Sequence, residues 1–262
     1  MTELLNVSSS TSLLLIITGL LAGFIDSIAG GGGLITLPVL TLILGAGPDA
    51  IGTNKIAGAM AAFVAMIVYT RSGHMELKKG MTFTAFVGLG ALGGSLVSPL
   101  LPKEFFKWIL FVTCPLILWV VWRKDLWVQQ EVQENQSKKK RKWTPRLNLK
   151  VVIAGMICGF YDGVWGPGGG TFMFLSLLFF AKLPLFSALA ASKLANTFSA
   201  SVALTSYSIS GHVFWAQGLL LALGISCGAF IGAKFATRNA ALLVRPVLVV
   251  VVVLLIFRLL QQ

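Results

Sequence analysis

Gly23-Phe24-Ile25-Asp26-Ser27-Ile28-Ala29-Gly30-Gly31-Gly32-Gly33 returns 136 positions later as Gly159-Phe160-Tyr161-Asp162-Gly163-Val164-Trp165-Gly166-Pro167-Gly168-Gly169, with six of the eleven positions identical. Each copy joins one apolar run to another through a turn almost free of side chains, with a single carboxylate about one helical turn before it. Glycine inside a helix costs roughly 0.5–1 kcal/mol against alanine, so such clusters need a reason. The reading that accounts for both is a pair of membrane helices interrupted at matching places, with a site between them.

Composition sets the class. Of 262 residues 56% are hydrophobic and 11% charged, and the mean hydropathy is +0.86. Soluble domains carry about 25% charged residues, and the apolar runs suit helices of about 20 residues crossing a bilayer. Nothing resembles the alternating ten-residue strands of an outer-membrane barrel. The expected fold is an all-α integral membrane protein.

The net charge of +12 does not imply nucleic acid, because nine of the 21 Lys and Arg residues fall in Arg123–Lys150 and most others border apolar runs. Cytoplasmic loops and anionic headgroups account for that distribution. The N-terminus lacks the positive n-region of a cleaved signal peptide, so Leu13–Phe24 is expected to remain in the mature protein. Cys114, Cys158 and Cys227 lie in apolar runs without metal-ligand spacing and read as small buried thiols.

Outward from the first glycine turn, the apolar pieces are Leu13–Asp26, with Thr11-Ser12 as a cap, and Leu34–Leu44; neither is comfortable as a full crossing. Crossings follow at about Thr53–Thr70, Gly80–Leu101 and Phe105–Trp122. After the hydrophilic stretch the pattern repeats as Leu149–Asp162, Thr171–Ala181, Leu189–Ser208, Gly218–Ala236 and Leu242–Leu260. Beyond the turns the match continues at an offset of 138: Lys55 with Lys193, Tyr69 with Tyr207, Ser72-Gly73-His74 with Ser210-Gly211-His212. The two extra residues are assigned to the Pro48 and Pro184 loops. Shared Lys, Tyr, His and Asp at one register mark an internal duplication: a first membrane repeat over 13–122, a basic linker over 123–148 and a second repeat over 149–260.

Charge argues that the repeats have opposite topology. Arg71, Lys78 and Lys79 flank a loop of the first half whose counterpart, Ser210–Gln217, has no Lys or Arg. The positive-inside rule then places these equivalent loops on opposite faces. An inverted pair needs an odd number of crossings per half. Three crossings plus a re-entrant hairpin at the glycines satisfies this, with the linker cytoplasmic and both termini outside; five crossings per half is the alternative.

Helices restarting after the turns present free N–H groups and partial positive charge, and glycine lets an anion approach them. The expected substrate-binding groups are therefore Gly31, Gly32 and Gly33 with Gly168, Gly169 and Gly170. Lys55, Lys193, Asn54 and Asn196 are placed near them as cavity-facing cations and donors. Asp26 and Asp162, the acidic residues inside apolar runs, either brace the turns or carry protons. His74 and His212 read as turn residues, since no metal-ligand set accompanies them. No nucleophile–base, Gly-x-Ser-x-Gly or His-Glu-x-x-His signature is present, and no catalytic residue, metal or cofactor is expected. An intramembrane enzyme or a lipid-binding membrane scaffold are the alternative classes.

The two glycine motifs, Thr53-Asn54-Lys55 and Ser192-Lys193-Leu194-Ala195-Asn196 together resemble the TauE/SafE sulfite exporter family, also called the toluenesulfonate uptake permease family, from about Leu13 to Leu260. The resemblance implies a multi-pass plasma-membrane carrier for small sulfur-containing or carboxylated anions such as sulfite, sulfonates or sulfoacetate, in either direction. A coupling proton or sodium ion and membrane lipids are the expected partners. Two departures stand out: the basic linker, and Gly166-Pro167 where the first turn has Gly30-Gly31.

Overall fold

The computed structural model describes residues 8–73, 77–102 and 149–260, and eight α-helices make up most of them. They are α1 (Ser9–Ala29), α2 (Gly33–Leu44), α3 (Pro48–Arg71) and α4 (Leu77–Val97), with a short 3₁₀ turn at Ser98–Leu100; then α5 (Leu149–Val164), α6 (Gly169–Phe179), α7 (Leu185–Ile209) and α8 (Trp215–Leu260). No strand occurs among the described residues. The all-α membrane class holds: Ser9–Ala29, Pro48–Arg71, Gly80–Leu100 and Trp215–Arg238 are each long and apolar enough to cross a bilayer. The expected crossing at Phe105–Trp122, the basic linker and His74 lie outside the described residues.

Two boundaries differ from the sequence expectation. The first helix is capped by Ser8, whose hydroxyl accepts the N–H of Thr11 at 3.3 Å, and not by Thr11-Ser12. Ser9, Ser10, Thr11 and Ser12 therefore join its first turn, and α1 reaches 21 residues, about 31 Å. That is enough to cross, whereas α2 and α6, with 12 and 11 residues, stay short. At the other end, Gly218–Ala236 and Leu242–Leu260 form one continuous 46-residue helix, with Pro246 inside it. No glycine or proline occurs between Ala233 and Arg245, so Lys234, Thr237 and Arg238 mark a polar girdle on a helix and no turn.

The halves exchange partners. Helix α1 of the first half packs along α8 of the second, and α5 of the second along α4 of the first; α3 and α7 meet each other in the middle. Glycines make both lateral contacts close. A Cβ on Gly19, Gly23, Gly224 or Gly228 would strike backbone of the facing helix in the α1–α8 pair, and a Cβ on Gly90, Gly94, Gly159 or Gly163 would do so in the α4–α5 pair. In lipid, helix association depends on close packing through small residues, as water offers no driving force between apolar helices. Leu13, Leu14, Ile17 and Leu21 on α1, and Leu219, Leu223, Phe230 and Phe235 on α8, remain exposed, as lipid-facing surfaces should. The core is lined by small and aromatic residues, including Ala57, Ala61, Ala65 and Tyr69 from α3 and Ala195, Ala203 and Tyr207 from α7.

Candidate functional site

Both interruptions are built by glycines in positive φ. Gly30 ends α1 at φ +84°, its N–H returning to the Asp26 carbonyl at 2.8 Å. Gly166 stands in the same place after α5 at φ +100°. The second turn then adds Gly168 at φ +78°. A Cβ on Gly32 would meet the Asp26 side chain, and one on Gly169 would meet that of Asp162. Gly32 and Gly169 are thus the equivalent pair, 137 positions apart. One of the two inserted residues therefore enters at the turn itself, and not at the Pro48 and Pro184 loops: the Pro167-Gly168 sequence makes a wider corner.

The turns touch. A Cβ on Gly30 would stand 2.5 Å from the Gly170 carbonyl carbon and 2.6 Å from the Thr171 nitrogen, and one on Gly33 would stand 3.2 Å from the Pro167 Cα. Thr171 donates its hydroxyl to the Ala29 carbonyl at 2.7 Å, fastening one turn to the other. Of the six glycines expected at the site, Gly33 and Gly170 lie at this contact, and Gly31, Gly32, Gly168, Gly169 and Gly170 are buried. Irregular backbone at membrane depth is tolerated in such a protein interior.

The charged residues are arranged in a way the sequence reading did not anticipate. Lys55 and Lys193 were expected as cavity-facing cations; instead each pairs with the aspartate of the opposite half. The Lys193 Nζ lies 3.2 Å from Asp26 Oδ2 and also donates to the Asp26 main-chain carbonyl. The Lys55 Nζ lies 3.3 Å from Asp162 Oδ2 and donates to the Asp162 carbonyl. All four side chains are at most 7% exposed, so neither lysine reaches a headgroup. Burying such charges is expensive unless they are paired and otherwise hydrogen-bonded, and both conditions are met. Asp26 Oδ1 accepts the Gly32 N–H at 3.1 Å. Asp162 Oδ2 instead accepts the Ser199 hydroxyl at 2.6 Å. Ser199 was not foreseen, because its counterpart in the first half is Ala61 and the duplication gave no signal there.

The C-terminal carbonyls of the broken helices are systematically occupied. In α1, Tyr69 Oη donates to the Ser27 carbonyl at 2.7 Å, beside the Lys193 and Thr171 bonds. In α5, Tyr207 Oη donates to the Gly163 carbonyl at 3.0 Å and Ser98 Oγ to the Val164 carbonyl at 2.8 Å, beside the Lys55 bond. These groups would otherwise be orphaned at helix ends. At the restarting helices, the Leu34, Ile35 and Thr36 N–H groups find Gly31 and Gly32 carbonyls, and those of Gly169 and Phe172 find Gly166 and Gly168.

Asn54 and Asn196 reach the same place from different registers. Asn54 precedes Lys55 by one residue and Asn196 follows Lys193 by three, four positions apart after superposing the lysines and so on one helical face. The Asn54 Nδ2 lies 3.4 Å from where a Cβ on Gly33 would be, and the Asn196 Nδ2 lies 3.2 Å from its equivalent on Gly170. Thr36 Oγ1 donates to Asn54 Oδ1 at 2.6 Å, which turns the amide NH₂ toward the turn.

His212 sits apart from this cluster. Its Nδ1 lies 2.7 Å from Asp49 Oδ1, and the neighbouring Phe214 N–H donates to Thr53 Oγ1 at 3.0 Å. These contacts hold the α7–α8 loop to the start of α3, the turn role expected for this histidine. Among the described residues no group of His, Cys, Asp and Glu could hold a metal ion.

Two interrupted helices meet inside a glycine-packed helical body, an architecture that membrane transporters use. The chain belongs to the sulfite exporter TauE/SafE family, whose description matches residues 15–259. It is 34% identical over 250 residues to the "Probable membrane transporter protein ORF9" of Sinorhizobium sp, covering 95% of this chain and 92% of that protein. It is 31% identical over 238 residues to the "Probable membrane transporter protein YfcA" of Escherichia coli (strain K12), covering 90% and 85%. A "Probable membrane transporter protein" of Haemophilus influenzae is 30% identical over 242 residues, covering 90% and 89%. No solved structure matches the chain.

Proposed function

We propose that this transporter is a secondary carrier of the plasma membrane that moves a small sulfur-containing or carboxylated anion, such as sulfite, a sulfonate or sulfoacetate, by alternating access between inverted repeats. The observation that carries this reading is the unequal capping of the two turns. The carbonyl ends of α1 and α5 are occupied by Lys193, Tyr69, Thr171, Lys55, Tyr207 and Ser98. At the starts of α2 and α6, in contrast, the N–H groups of Gly31, Gly33, Gly168 and Gly170 meet no acceptor among the described residues. What remains available at the junction is therefore donor-rich, with the positive ends of two helices and the amides of Asn54 and Asn196 beside them. The aspartates do not repel an anion there, because each is matched by a lysine. Gly33 and Gly170, flanked by the asparagines, are the groups assigned to the ligand. The touching turns represent the closed state, and alternating access requires them to part.

Purified protein reconstituted into liposomes tests this directly, with counterflow of labelled sulfite, sulfonates, sulfoacetate and carboxylates. Saturable exchange of at least one is expected. Asn54→Asp and Asn196→Asp should each reduce it by at least about tenfold, since a buried like charge costs more than the ~1.4 kcal/mol that factor requires. Undiminished exchange in both variants removes the asparagines from the site, and product formation without flux points to an enzyme. Reporters attached near Pro48 and near Lys138 address topology; both on one face would overturn the inverted arrangement.

A further inference from the structure

We propose that Lys55 and Lys193 are resident cations: each ammonium fills a cation site made by the carbonyl end of the opposite half's broken helix, so neither aspartate takes a sodium ion. Interrupted membrane helices commonly use their carbonyl ends and a carboxylate to hold a cation. Here such oxygens stand at both broken helices. At one site the set comprises the Asp162 carbonyl, Asp162 Oδ2 and the Ser199 hydroxyl that shares this oxygen. At the other it comprises the Asp26 carbonyl and Asp26 Oδ2, with Oδ1 tied to the Gly32 N–H.

In each set the lysine nitrogen contacts the aspartate's main-chain carbonyl and its Oδ2. A Cβ on Gly166 would stand 2.8 Å from the Lys55 Nζ, so the ammonium lies directly against the second turn. The negative half-charge of the helix end favours a cation at this position whatever its source. A second cation within the same oxygen set would face the ammonium at contact distance in a buried site, where repulsion is only weakly screened. Tethered and diffusible cations are therefore mutually exclusive. The same arrangement at both pseudo-equivalent places, at the same register of α3 and α7, separates it from a chance surface pairing.

One consequence deepens the carrier reading and rests on it: the positive charge that balances Asp26 and Asp162 travels with α3 and α7 and does not arrive from solution. The stability experiment is independent of that reading. Thermal unfolding of the purified full chain is followed at equal ionic strength in sodium chloride, methylammonium chloride and choline chloride, whose cation is too large for the site. The wild type is expected to unfold at the same temperature in all three. Lys55→Ala is expected to unfold at a lower temperature in choline, and to recover saturably by at least about 2–4 °C in sodium or methylammonium. Recovery of this variant only from preparations made in sodium or methylammonium supports the proposal equally. Lys55→Ala/Asp162→Asn, with no carboxylate to attract a cation, should show no such response.

The proposal is overturned if the wild type is saturably stabilised by sodium over choline. It is also overturned if Lys55→Ala behaves alike in the three salts, or cannot be prepared in any of them while the double variant can. In vesicles, wild-type flux should be unchanged when choline replaces sodium. Absence of flux with every anion would retire the carrier reading and leave the unfolding result standing.

Discussion

Gly30→Ala is the substitution for which the structure yields the clearest magnitude. Two costs combine. Gly30 sits at φ +84°, where an L-residue loses about 1–2 kcal/mol. The added methyl would stand 2.5 Å from the Gly170 carbonyl carbon, about 1 Å inside the ~3.5–4.0 Å optimum for carbon contacts. That carbon belongs to the backbone of the other turn and has no rotamer to change, so one turn must retreat from the other. Overpacking of this kind costs about 1–3 kcal/mol, for a total of roughly 2–5 kcal/mol. Gly211→Ala is the internal control, with φ +76° and nothing within 4 Å of the added methyl; it should cost only the ~1–2 kcal/mol of strain. Thermal unfolding in detergent measures the difference, at about 2–4 °C per kcal/mol for a chain of this size. If the two variants unfold at the same temperature, the turns are not in contact, and the account of a shared junction fails.

Two further outcomes follow from the same junction. Asp26→Asn and Lys193→Ala should each cost about 3–5 kcal/mol, because either leaves a buried charge alone. The double variant should cost clearly less than their sum, and additive unfolding shifts would mean that no bond links the halves there. Tyr69→Phe should lose about 1–3 kcal/mol by orphaning the buried Ser27 carbonyl, and Tyr207→Phe a similar amount at Gly163; a shift near zero for both would show these carbonyls to be otherwise satisfied.

The duplication carried most of what the sequence revealed. Asp26, Lys55, Tyr69 and their counterparts recur at fixed offsets, and all six side chains converge on the broken helix ends. The breaks themselves were legible because close helix packing, the competing explanation for glycine in a membrane helix, does not call for four in a row. Which residue answers which was not legible. Two acids and two bases in apolar runs announce pairing by charge balance, but sequence distance cannot say whether Lys55 reaches Asp26 in its own half or Asp162 in the other. The exchange depends on α3 and α7 lying side by side, which is a property of tertiary packing. Ser199 and Thr171 escaped notice for a related reason: small hydroxyl residues are common in membrane helices, and only a neighbour 37 or 142 positions away distinguishes them. The length of α1 was misjudged because serines were read as a boundary, although their hydroxyls bond readily to the first turn of the helix they begin.

The crossed pairing of α1 with α8 also sets a timetable for synthesis. Gly19 and Gly23 are shaped to receive a helix that the ribosome has not yet made when they enter the bilayer. At about 5–20 residues per second, the interval between Ala29 and Trp215 lasts roughly 10–40 s. Throughout that time the grooved face of the nascent first helix must be sheltered by lipid, by the translocon or by a temporary neighbour. A chain cut in the middle could be rebuilt from two pieces only if both were supplied to the same patch of membrane together, since neither carries the surface that completes its own leading helix.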